Sequence, residues 1–170
     1  MSNSPLRFSP ISRTRRNHGL EHATLRILNE RFPKLRLAGI STPRGFTIVG
    51  DVMAEDVADA AIEALKRLRG GEADLALHPN CGTNYAVPGA FAGLAAWLGT
   101  LGSDKSFKHK VERLPLVMVL ATMALVLTHP LGPLVQKKIT TSGDPQGLEL
   151  ERVETVIRAG TRLNHVTTRG

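Results

Sequence analysis

The sequence predicts an α+β fold, a small domain of two helices and a few strands that is interrupted by a two-helix membrane hairpin. Three observations carry the prediction. Residues 53–71 show apolar side chains at helical spacing; short runs at 35–40 and 46–51, and again on both sides of RAGT near 158–161, alternate at strand period; and two long stretches, 85–102 and 114–135, carry no charge at all.

Residues 1–12 are rich in Ser and Pro and read as a disordered tail. A first helix is expected from Arg13 or Asn17 to Arg31, closed by Pro33. Two strands follow, LRLAGI and FTIVGD, joined by STPRG, whose Pro and Gly favour a turn. The clearest amphipathic helix is MAEDVADAAIEALKRLRGG, with Val57, Ala61, Ala64, Leu65 and Leu68 on one face. It has acidic residues in its first turn, basic ones in its last and Gly70 past its end. ADLALH reads as a further short strand, and LELERVETVIRAGTRLNHVTTR as a final β-hairpin.

A bilayer core of about 30 Å takes about 20 apolar helical residues, so the run at 114–135 is long enough to cross and the run at 85–102 is marginal. Gly89 and Gly93 form a GxxxG pair of the kind that lets membrane helices approach closely. The expected organisation is a tail at 1–12, an α+β domain at 13–84, a transmembrane hairpin at 85–135, and a C-terminal β-hairpin at 136–170 that packs with the α+β domain. The four Lys and Arg of the connecting loop at 103–113 favour a cytoplasmic loop. An Arg-rich N-terminal domain without an export signal favours the opposite arrangement. The second consideration outweighs the first, giving a two-span inner-membrane protein with cytoplasmic N- and C-terminal parts. A hairpin returns the chain to its starting side, so the 78–84 loop and His129 meet the same membrane face as the N-terminal domain.

The net charge of +7 is spread over the tail, the 103–113 loop and the C-terminal third, and the chain has five Phe, one Tyr and one Trp. Without a basic stripe and an aromatic platform nucleic acid is not the expected partner; an anionic lipid surface suits the same charges. Cys81 is the single cysteine, so no intramolecular disulfide forms.

HGLEH at 18–22 places His18 and His22 one helical turn apart, where both imidazoles can face one cation, with Glu21 beside them. Neutral imidazoles at this spacing suit zinc, and Glu21 is then the candidate base of a metal-dependent hydrolase. Leu25, Leu28 and Phe32 border the same arc, so the histidine face is expected to be partly buried. A third ligand is expected from HPNCGTN at 78–84, either His78 or Cys81. His129 is a weaker candidate, and His109 and His165 read as solvated. Peptide or lipid-linked substrates fit a site near the membrane. Two further readings remain open: a non-enzymatic membrane protein whose polar clusters form a structural network or bind haem or a pigment, aiding assembly of a membrane complex, and a thiol hydrolase in which His78 activates Cys81.

NHGLEHATLRIL, STPRGFTIVGDV, GGEADLALHPNCGTN and the apolar hairpin ending in THPLGPLVQKKITT together resemble a bacterial family of predicted membrane proteins of unknown function found in Chloroflexi and cyanobacteria. The signatures NHxLEHAT and HPNCGTN stand intact at 17–24 and 78–84. The resemblance runs from about Asn17 to the C-terminus. It implies membrane association and a pairing of the two polar clusters, and brings no activity. HGLEH also resembles the inverted zincin motif over five residues. The insulinase-type members of that group are large soluble proteins with a downstream glutamate ligand that has no counterpart here.

Overall fold

The computed structural model describes residues 9–102 and 107–170. The fold is α+β, with six α-helices and one four-stranded antiparallel sheet among the described residues. The chain divides into two compact units. One comprises the described residues of Met1–His78 together with Lys137–Gly170, and the other is Pro79–Gln136.

The first unit is a sheet covered on one face by two helices. Helix α1 (Ser9–Arg31) starts earlier than its apolar pattern suggests, because Pro10 in the first turn sacrifices no helical hydrogen bond. Residues 9–12 of the expected tail are thus helical; residues 1–8 of it lie outside the described residues. Strands β1 (Ala38–Thr42) and β2 (Gly45–Val49) form the first hairpin, and β3 (Glu149–Arg158) and β4 (Thr161–Arg169) the second. Ala159 and Gly160 both adopt positive φ, 49° and 77°, as a two-residue hairpin turn requires. The sheet order is β1-β2-β4-β3, so the C-terminal hairpin docks against β2 in the register Phe46↔Val166 and Ile48↔Asn164.

Period two along β2 and β4 sends Phe46, Ile48, Asn164, Val166 and Thr168 inward. They meet Leu20, Ala23, Ile27 and Leu28 of α1, and Val57, Ala60, Ala61, Ala64, Leu65 and Leu68 of helix α2 (Ala54–Arg69). The ADLALH run is no strand. Ala73–Ala76 forms a 3₁₀ turn, in which Leu75 N–H donates to the Glu72 carbonyl and Leu77 N–H to the Asp74 carbonyl, each at 3.1 Å, so these backbone donors are used locally rather than on a neighbouring strand.

The second unit is a helical hairpin. Helices α3 (Thr83–Thr100) and α5 (Leu114–Thr128) run antiparallel, with the short α4 (Phe107–Glu112) between them and α6 (Leu131–Val135) after them. The close contact is at Gly99, where an added Cβ would sit 3.1 Å from Val117 Cγ2 and 3.2 Å from Leu120 Cδ1. Gly89 and Gly93, the expected GxxxG contact, border open space. The uncharged run at 114–135 is not one helix, because Pro130 and Pro133 interrupt it. Its pieces, Leu114–Thr128 and Leu131–Thr140, meet at 49°. No single described helix is long and apolar enough to cross a membrane; this bent pair passes the same test only when taken together.

Candidate metal centre

The signature at 17–24 lies in the middle of α1, and almost every residue in it meets a different partner in the first unit. Asn17, fully buried, donates through Nδ2 to the Thr42 carbonyl at 2.9 Å and accepts from Thr168 Oγ1 at 2.7 Å, pinning the helix to both β1 and β4. Leu20 and Ala23 enter the core, and Thr24 Oγ1 donates back to the Leu20 carbonyl. Gly19 lies against the chain returning at 142, where a Cβ would collide with the Ser142 carbonyl. Few positions on this helix are left to solvent, which is why its sequence shows no clean apolar stripe.

His18 and His22 meet across one turn with ring centroids 4.3 Å apart and ring planes tilted by 57°. His22 is buried, and its Nδ1 lies 2.8 Å from the Ala76 carbonyl; His18 is half-buried, and its Nδ1 lies 3.0 Å from the Thr140 carbonyl. A carbonyl oxygen only accepts, so in both rings Nδ1–H donates and a neutral ring keeps its lone pair on Nε2. This arrangement orients metal-ligating imidazoles, an outer carbonyl holding the tautomer and the ring plane.

The 3₁₀ turn that supplies Ala76 is itself held by an ion pair. Arg67, near the end of α2, makes bidentate contact with Glu72 through Nε at 3.1 Å and Nη2 at 2.7 Å. The hydrogen bond from Arg67 holds the Glu72 carboxyl below the usual carboxylate range, and Glu72 in turn raises the Arg67 guanidinium. Two residues past Ala76, the His78 ring lies 5.6 Å from that of His22. Three residues further on, the tethered chain brings Cys81, which is buried and in no disulfide.

One ligand atom each from His18, His22 and Cys81 lie within 4.8 Å of one another, so this cluster can hold a metal ion. Two imidazoles and a thiolate form a donor set for zinc or another thiophilic transition metal. His78 stands beside the set rather than within that radius. Glu21, buried, turns its carboxylate to the sheet: Ser41 Oγ donates to Oε2, and the carboxylate packs where a Cβ at Gly39 would lie. His129 caps α5 and is exposed; His109 is exposed on α4; His165 is exposed on β4 and shares a hydrogen bond with Thr47.

The outer partners Ala76, Thr140 and Ser41 escape a reading of the sequence, because two of them act through backbone carbonyls and no residue type signals that. Asn17 was visible as a letter of the signature. Only its bonds to two strands explain why an amide stands there.

The model of a family described as Domain of unknown function (DUF6391) matches residues 13–153. An uncharacterised protein of the cyanobacterium Picosynechococcus sp. is 36% identical over 153 residues, a match covering 82% of this chain and 71% of that protein. No solved structure matches the chain. With a helix-borne histidine pair, a tethered cysteine and a family match that takes in both polar clusters, the chain belongs to the DUF6391 family.

Proposed function

We propose that this chain is a metal-binding protein of the bacterial inner membrane, holding zinc on His18, His22 and Cys81, with His78 poised beside the site. The observation that carries the metal reading is the placement of one ligand atom each from His18, His22 and Cys81 within 4.8 Å of one another, with Nδ1 of both rings held by the Ala76 and Thr140 carbonyls.

The membrane reading is supported by the second unit. Phe91, Leu94, Trp97 and Leu98 of α3, and Leu116, Met118, Val119, Met123 and Val126 of α5, are all exposed. An exposed apolar surface on that scale marks an interaction site with lipid or another apolar partner. At 1.5 Å per residue α3 extends about 27 Å and α5 about 22 Å, short of a core of about 30 Å, so the bent continuation of α5 has to complete the second pass.

An ion held by these three donors alone would keep its fourth position for water, the pattern of catalytic rather than structural zinc. That favours metal-assisted hydrolysis of a peptide or lipid-linked substrate as the activity. Because Ser41 engages the Glu21 carboxylate, Glu21 serves as base only if substrate entry releases it; otherwise it is a positioning residue tying α1 to β1.

The test is metal analysis of detergent-purified protein. About one zinc per chain is expected, falling to background in His22→Ala and in Cys81→Ser. Cobalt exchanged into the wild type should show a thiolate-to-metal charge-transfer band that Cys81→Ser lacks. Copper retained in place of zinc would overturn the zinc assignment, and no metal in any preparation would overturn the centre itself. A Glu21→Gln variant that keeps both metal and cellular function removes the catalytic role of Glu21 and leaves binding intact.

A further inference from the structure

Arg13, Arg15, Arg16, Lys137 and Lys138 are among the cationic side chains of the first unit that make no ion pair among the described residues. Arg13 Nη2 donates to the Thr168 carbonyl at 3.2 Å, and Arg15 Nη2 donates to the carbonyls of Lys138 and Thr141, each at 3.1 Å. Those bonds bring the early turns of α1 against the returning segment. The Nε–H groups of Arg13, Arg15 and Arg16 are nevertheless buried and meet no acceptor among the described residues. Buried guanidinium donors without an acceptor are costly, and a phosphate oxygen is the acceptor that suits them best. Lys137 and Lys138 are exposed, so the same neighbourhood also presents charge to solvent.

The covalent position of the lysines indicates where the anion comes from. Lys137 follows Gln136, the last residue of the helical unit, and the chain before it is uncharged back to Leu114. If that unit enters lipid, as proposed above, Lys137 and Lys138 emerge at the headgroup layer, where a bacterial inner leaflet offers anionic phosphates. We propose that Arg15, Arg16, Lys137 and Lys138 form a collar that binds the phosphate of an anionic phospholipid. This inference rests on the membrane reading and adds to it a lipid class. It does not depend on the metal, because none of the four residues belongs to the His18–His22–Cys81 set.

The experiment is flotation of detergent-purified protein diluted into preformed vesicles, either pure phosphatidylcholine or phosphatidylcholine with a third of phosphatidylglycerol. Each cation near an anionic surface contributes about a fivefold gain in partitioning. The protein should therefore bind the anionic vesicles at least tenfold better, with the preference lost at high salt. A Lys137→Gln/Lys138→Gln variant, altered only at exposed side chains, should lose about 25-fold on anionic vesicles and bind neutral ones as the wild type does. Far-ultraviolet circular dichroism confirms that it folds. Equal partitioning into the two vesicle types, or a double variant that keeps the anionic preference, overturns the collar while leaving the membrane reading in place. Flotation with neither vesicle overturns both.

Discussion

Gly19 and Gly39 hold the histidine helix at two contacts that admit no side chain. A Cβ at Gly19 meets the Ser142 carbonyl, a backbone atom that cannot swing away, whereas a Cβ at Gly39 meets the Glu21 carboxylate, which can. Gly19→Ala is expected to cost about 1–3 kcal/mol, the range for overpacking a rigid contact. It should also weaken metal binding, because Ser142 N donates to the Arg15 carbonyl in the segment that carries Thr140 to His18. Denaturant melts and zinc titration of the same variant read both effects; unchanged stability would contradict the contact. Asn17→Ala leaves the Thr168 hydroxyl and the Thr42 carbonyl without their partner in the interior. The expected loss is about 1–3 kcal/mol per orphaned group, measured as a drop in the denaturation midpoint. At this scale the sequence was legible for the residues that can hold a metal, since His and Cys declare their chemistry by type. It was illegible for the carbonyls and glycines that orient them.

Among the elements, the amphipathic α2 could be read directly, because one of its faces is core and the other is water, so apolar spacing and burial coincide. The opposite holds for α1. It is enclosed by β1, β2, α2, the 3₁₀ turn and the 138–142 segment, and its polar residues are buried through specific bonds rather than turned outward. The 3₁₀ turn shows how a short apolar run misleads: the six residues of ADLALH cannot distinguish strand from turn until their neighbours are known. That turn also links pH to the site. Glu72 has a depressed carboxyl pKa through Arg67, so its contribution is present above the ordinary carboxylate range and is lost as pH falls through the depressed value. Thermal melts of wild type and Glu72→Gln should differ near neutrality and converge in acid once pH has fallen below the depressed value, with the wild type the more stable where they differ. A difference that widens in acid would reverse the sign of the argument. Within the core, Ile48→Ala removes a fully buried side chain from the middle of the sheet and should cost about 2–5 kcal/mol by denaturant titration.

For the molecule as a whole, Trp97 is a built-in probe, because it is the single tryptophan and lies exposed on α3. On transfer from detergent to vesicles its emission should stay blue-shifted and be quenched by lipids brominated along the acyl chain. Emission like that of tryptophan in water would place α3 outside the bilayer. The order of residues alone determined that two stretches of this chain carry no charge, that much of the rest alternates between helix and strand periods, and that two histidines stand one helical turn apart. These are local properties, set by which side chains follow one another within a dozen residues. The tertiary structure decided that the C-terminal hairpin lies beside β2 and that Pro130 and Pro133 bend the second apolar run. It also decided that Cys81 rather than His78 falls within 4.8 Å of the histidine pair, and that Glu21 faces Ser41. Each of these depends on segments far apart in the chain meeting in space, and the spacing of residues along a sequence does not encode which distant backbone carbonyl a ring nitrogen will find.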